Sequence, residues 1–169
     1  MKTLFLSIAL LFINGIFCQT NKITSLFQKT LQLEIEARKG VIKDTSDLER
    51  SPERLIVTEP FTIKKDTLYY TVQKRIDSNR YHVEQQKMAL KDATQVTKDI
   101  GLFLETHAEK VIKTRQEFID SKKVEESIFY SDTFETYMIN LRSVDYFADE
   151  MIEAFRTSDF KITKGYWYD

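Results

Sequence analysis

The chain has 169 residues, 42% of them hydrophobic and 30% charged, with 25 basic against 26 acidic side chains, one Cys, four Gly and two Pro. That composition excludes a disulfide scaffold, a collagen-like repeat, a low-complexity disordered chain and a multi-span membrane protein. The near-even charge argues against nucleic-acid binding, which needs clustered Lys and Arg.

Met1 and Lys2 precede an apolar run from Leu4 to Ile13, broken by Asn14 and Gly15 before Ile16, Phe17 and Cys18. A basic start, a run of about ten apolar residues and helix-breaking polar residues read as a secretory signal peptide, too short for a bilayer span of roughly twenty residues. The expected cut follows Cys18, with Gly15 as the alternative. Lipidation of Cys18 fits poorly, because Phe17 stands where a small residue is wanted and Gly15 where Leu is usual. Residues 1–18 are therefore read as a signal, 19–53 as an N-terminal helix with a polar connector, and 54–169 as a β-rich domain with a C-terminal helix and an aromatic tail. Without Lys2, 24 basic groups face 26 acidic ones, a formal charge of −2. The remaining chain is long enough to bury a core of its own and holds no cysteine to staple it.

In 21–39, Ile23, Phe27, Leu31 and Ile35 recur every four positions, flanked by Leu26 and Leu33, and predict a helix that Gly40 stops. A polar connector follows up to Pro52. Beyond it the period becomes two. Segments 55–63, 68–76, 81–90, 100–104, 110–118 and 127–141 are rich in Val, Ile, Thr, Tyr and Phe, and turn residues separate them, which predicts an antiparallel meander. The second and third segments form a hairpin across Ser78, Asn79 and Arg80, with Asp77 opposite Tyr81, Tyr70 opposite Met88 and Lys74 opposite Glu84. A further hairpin is expected to turn near Thr106 to Glu109, with Glu105 facing Lys110. The helical period returns from Ser143, a suitable N-cap, to Ser158: Val144, Phe147, Ala148, Met151, Ile152 and Phe155 line one side, and acidic residues and Arg156 the other. The tail Phe160, Ile162, Tyr166, Trp167 and Tyr168 has enough aromatic area to anchor itself. The fold class expected is α+β: an antiparallel meander forming a curved sheet or small barrel, capped by a C-terminal amphipathic helix, with an additional N-terminal helix.

The stretch Met88, Ala89, Leu90, Lys91, Asp92, Ala93, Thr94, Gln95, Val96, then Gly101 to Arg115 and the helix from Ser143, resembles the middle and end of pleckstrin-homology and GRAM-like small barrels. The resemblance spans about residues 54 to 158 and implies that the helix plugs an open barrel corner. Members of that family hold lipid headgroups with clustered Lys and Arg in the first hairpin loops. Here those loops offer Lys64 and Lys65, then Arg75 and Arg80, so the resemblance does not extend to a phosphoinositide site.

Glu105, His107 and Glu109 form the one His-carboxylate spacing. On a strand, same-face neighbours lie about 6.5–7 Å apart, too far for three to converge on one ion, so a hairpin tip is the plainer reading. His82 falls on the inner face of the second hairpin, and no residue presents itself as its orienting partner. No Ser or Thr sits in a Gly-flanked elbow, and Gly40, Gly101 and Gly165 make no phosphate-cradling loop. Lys122 and Lys123, followed at once by Glu125 and Glu126, read as a solvated turn, and Asp145, Asp149, Glu150 and Glu153 as a solvated helix face. No catalytic, metal or cofactor residue is expected. The sequence points to an exported bacterial envelope protein, periplasmic or extracellular, with no transmembrane segment after signal removal. The expected role is non-catalytic binding of a protein partner or a small apolar ligand. The alternatives are a small hydrolase or metal-dependent enzyme using His107 or His82, and an assembly subunit docking through its N-terminal helix.

Overall fold

A computed structural model describes residues 22–38, 55–141 and 144–168; the signal segment, Cys18, the polar connector and Ser143 lie outside them. The elements are α1 (22–38), β1 (Leu55–Lys64), β2 (Thr67–Arg75), β3 (Arg80–Ala89), a 3-10 turn (Leu90–Asp92), β4 (Ala93–Lys98), β5 (Leu102–Thr106), β6 (Val111–Ile119), β7 (Lys122–Ser131), β8 (Thr133–Glu135), α2 (Asp145–Thr157) and β9 (Thr163–Trp167). The chain is α+β, with two helices and two sheets among the described residues, and the strands do not close into a barrel.

One sheet has the order β1-β2-β3-β6-β7 and is antiparallel throughout; the other has the order β8-β5-β4-β9. The meander departs from simple succession after β3. There the 3-10 turn redirects the chain, and the β4–β5 hairpin is built into the second sheet before β6 returns to pair with β3. The expected Thr106–Glu109 hairpin is therefore absent: that turn joins two sheets, and Glu105 pairs with Gln95 and Thr133 rather than facing Lys110. Thr106 donates its backbone N–H to the Asp132 carbonyl at 2.7 Å, so the crossings from β5 to β6 and from β7 to β8 are tied at one point.

The β2–β3 register differs from expectation by two residues: Arg75 pairs with Tyr81, Tyr70 with Gln86 and Lys74 with His82. The Asp77 carboxylate accepts the N–H groups of Asn79 and Arg80 at 3.1 and 2.9 Å, which widens the loop by closing an Asx-type turn. A slip of two preserves the alternation, so each side chain keeps its expected face.

The aromatic tail is anchored as β9, which pairs with β4 in parallel. Gly165 makes this approach possible, since a Cβ there would stand 2.3 Å from the Thr97 methyl.

Both helices bury their apolar sides in one core. Phe27 stacks on Phe61 at 4.6 Å and meets Phe147 of α2 edge-on at 6.0 Å, while Phe61 stacks on Tyr70 at 3.9 Å. In α1 the buried side runs Ile23, Phe27, Leu31, then Glu34 and Arg38, and the expected Ile35 is exposed. A four-residue repeat drifts about 40° per step on a 3.6-residue helix, so Ile35 lies about 120° round from Ile23. Val144, rather than the expected Ser143, is the N-cap of α2; it is buried, as are Phe147, Ala148, Met151 and Phe155 within the helix, and the helix lies against β4 and β9.

Candidate functional site

Alternation along β2, β3 and β6 puts three cross-strand rows on the inner face of the large sheet: Tyr70, Gln86 and Lys113; Val72, Glu84 and Arg115; Lys74, His82 and Glu117. Toward the other end this face is apolar, with Leu68, Met88 and Val111 in the core. The inner face thus grades from core to a cluster of ions within a few residues.

Glu84 is the hub. It is 2% exposed, and both of its oxygens are bonded: Arg115 donates to Oε2 at 2.9 and 3.3 Å, and the Tyr137 hydroxyl donates to Oε1. Tyr137 in turn accepts from Lys74 Nζ at 2.9 Å, and the same ammonium lies 4.1 Å from its ring centroid. Lys113 pairs with Glu135 at 2.6 Å, and Gln86 exchanges two hydrogen bonds with the Glu135 backbone, at 3.0 and 2.9 Å. Burial by itself would raise the Glu84 pKa. The Lys74 charge, the Tyr137 hydroxyl and the Arg115 guanidinium outweigh it and hold the carboxyl below its usual range. Burial lowers the Lys74 pKa and strongly raises that of Tyr137, which the Glu84 and Glu135 charges raise further.

Tyr137 adopts a left-handed backbone, φ 57°, an outlier for a bulky residue. Its anchors over-determine that conformation. Besides the hydroxyl contacts, its carbonyl accepts from Arg38 Nη2 at 2.6 Å; Arg38 also pairs with the buried Glu34 at 2.8 Å, and Glu34 accepts from the backbone and side-chain nitrogens of Asn140. The end of α1, segment 137–140 and the sheet are thereby locked through one polar network.

His82 stands at the edge of this cluster, beside Lys74 and Glu117 across the strands. Its Nε2 is buried without a hydrogen-bond partner. Burial, then the Arg115 and Lys74 charges, lower its pKa and favour the neutral ring. His107 and Glu109 lie exposed at the sheet-crossing turn, while Glu105 accepts from Gln95 and, at 2.9 Å, from Thr97. The three do not converge, and no group of three or more His, Cys, Asp or Glu among the described residues is arranged to hold a metal ion. Lys122 and Lys123 open the edge strand β7 rather than a turn; Lys123 pairs with Glu126 at 2.7 Å, and Val124 forms a bulge. Such charges and a bulge blunt an edge against further strand pairing.

Alternation in the sequence places Lys74 and Glu84 on one face but does not join them to Arg115 and Tyr137. Arg115 belongs to a strand whose pairing with β3 skips two strands, and Tyr137 lies in an irregular segment. The available signal is the run of polar residues at same-face positions, Glu84 and Gln86, preceding Met88.

The opposite face carries a groove of about 510 Å³, within the range of small-ligand clefts. Its floor is one straight row across four strands: Tyr69, Lys87, Ile112 and Tyr130. Asp92 and the turn residues Glu109 and Lys110 form its rim. Tyr130 is 61% exposed. Ala108 and Glu109 are both left-handed, at φ 60° and 53°, and no glycine relieves this pair.

No protein-family model matches the sequence, and no match was found among the curated proteins or the solved structures. No helix among the described residues is long and apolar enough to cross a membrane.

Proposed function

We propose that the chain is an exported, non-catalytic binding domain of the bacterial envelope, which takes its ligand in the groove on the outer face of the five-stranded sheet. The observation that carries this reading is the contrast in commitment between the two faces. Both oxygens of Glu84 are engaged, Lys74 is held by Tyr137, and Lys113 is paired with Glu135. Such a network locks packing, and its own carboxylates and ammonium groups are committed to one another rather than to a substrate. The groove is concave, open and lined by rings and charged groups that reach solvent, as a binding seat requires.

Export rests on the signal-like segment from Met1 to Cys18. N-terminal sequencing of protein recovered from the envelope fraction is expected to begin at Gln19; full-length protein retained in the cytosol overturns that part of the reading. The binding role is tested by amide chemical-shift mapping against a ligand library, which should move Tyr69, Lys87, Ile112 and Tyr130 together.

A second reading, an enzyme centred on His82, draws on its buried, unpartnered Nε2. Turnover of an ester, phosphoester or glycoside panel that disappears in His82→Gln would establish it and displace the first.

A further inference from the structure

We infer that the ligand of the outer-face groove is a neutral glycan. This deepens the binding reading and rests on it.

Three observations select that chemistry. First, the groove's charges cancel: Lys87 and Lys110 stand with Asp92 and Glu109, so the site offers neither an anion nor a cation a net field. Single hydroxyl groups both donate and accept, and so satisfy ammonium and carboxylate groups alike. Second, the rings are spread out rather than clustered. Tyr69 and Tyr130 lie three strands apart on one row, about 14 Å by strand spacing, with Lys87 and the aliphatic Ile112 between them. Pyranose rings present C–H faces that pack on tyrosine, and two separated rings suit an extended chain of them better than one compact apolar molecule. Third, the surface beyond the groove continues the same chemistry. The next two outer rows carry Thr71, Gln85, Thr114 and Ile128, then Gln73, Val83, Gln116 and Glu126, before the row in which Arg75 and Lys123 flank the stacked pair Tyr81 and Phe118 at 4.9 Å. Between the rings at both ends stand amides, hydroxyls and the aliphatic Val83 and Ile128, and the one carboxylate, Glu126, is held by Lys123 and Gln116; such a track suits an uncharged polymer with hydroxyl edges and C–H faces.

The test is an amide-resolved titration of the mature chain with cellohexaose, maltohexaose, xylohexaose and chitohexaose, beside one acidic and one basic hexapeptide. At least one oligosaccharide should shift Tyr69, Lys87, Ile112 and Tyr130 at millimolar concentration. Tyr130→Ala, at an exposed position that leaves the fold intact, should weaken that binding about tenfold. Glu109→Gln should weaken it less, and raising the ionic strength about tenfold should leave it nearly unchanged. No shift with any oligosaccharide overturns the glycan assignment, as does binding that salt abolishes. A peptide that moves the same four amides also overturns it while sustaining the groove as a binding site. A ligand that moves only His82, Lys74 and Arg115 overturns the groove reading itself.

Discussion

On the inner face of the five-stranded sheet, Glu84 is almost fully buried and bonded through both oxygens, whereas on the outer face Lys87 and the nearby Glu109 stand in or near water. The residue types are alike and the consequences are opposite. A desolvated ion is costly unless every bond is made, so the inner cluster acts as a lock. A solvated ion is already satisfied by water and can exchange it for a ligand's hydroxyl.

The largest test of this contrast is Glu84→Ala against Lys87→Ala. Removing Glu84 unpairs the half-exposed Arg115 and leaves the Tyr137 hydroxyl without its acceptor, and should cost about 2–4 kcal/mol in urea unfolding, whereas Lys87→Ala should stay within about 0.5 kcal/mol. Equal effects would dissolve the distinction between the faces.

A packed backbone contact should rank next. Gly165→Ala forces a Cβ to within 2.3 Å of the buried Thr97 methyl and 3.1 Å of Gln95, and a loss of about 1–3 kcal/mol is expected by the same measurement.

The opposite sign is expected at the groove rim. Ala108→Gly relieves a left-handed alanine, about 1–2 kcal/mol, and adds about 0.4–1 kcal/mol of unfolded-chain entropy. A net gain of roughly 0.5–1 kcal/mol should appear as a raised Tm, and no gain would mean that the turn is not strained.

The smallest effect is a pH slope. The folded-state pKa of His82 lies below 6.5, so the unfolded chain takes up this proton first as pH falls. Stability should therefore decline as pH drops from about 6.5 toward the folded value. Glu84 is depressed below 4.5, so its contribution is present above that value and is lost as pH falls through the folded pKa. Urea midpoints across pH should show two limbs, and His82→Gln should remove the upper one alone.

Much of the fold is legible in local pattern. The stripe Val144, Phe147, Met151 and Phe155 marks α2, and alternation marks β1, β2, β3 and β6. Strand β4 escaped because Ala93–Lys98 is short and follows a 3-10 turn, and β9 because Thr163–Trp167 reads as an aromatic tail whose parallel partner is some seventy residues away. Of the site, His82 was placed on its correct face, but its neighbours Glu117 and Arg115 come from β6, and that pairing follows from where the β4–β5 hairpin goes.

The amino-acid order by itself determined the periods: which residues alternate, which repeat each helical turn, and so which faces are apolar. It also determined a signal-like start and a nearly neutral charge. Only the tertiary structure decided the order of strands, the two-residue register of β2 on β3, the union of Glu84 with Arg115 and Tyr137, and the alignment of Tyr69 with Tyr130. The physical reason is that a period of two is satisfied equally by any neighbour and by any slip of two residues. Choosing among them requires burial of the whole core and pairing of every desolvated ion at once.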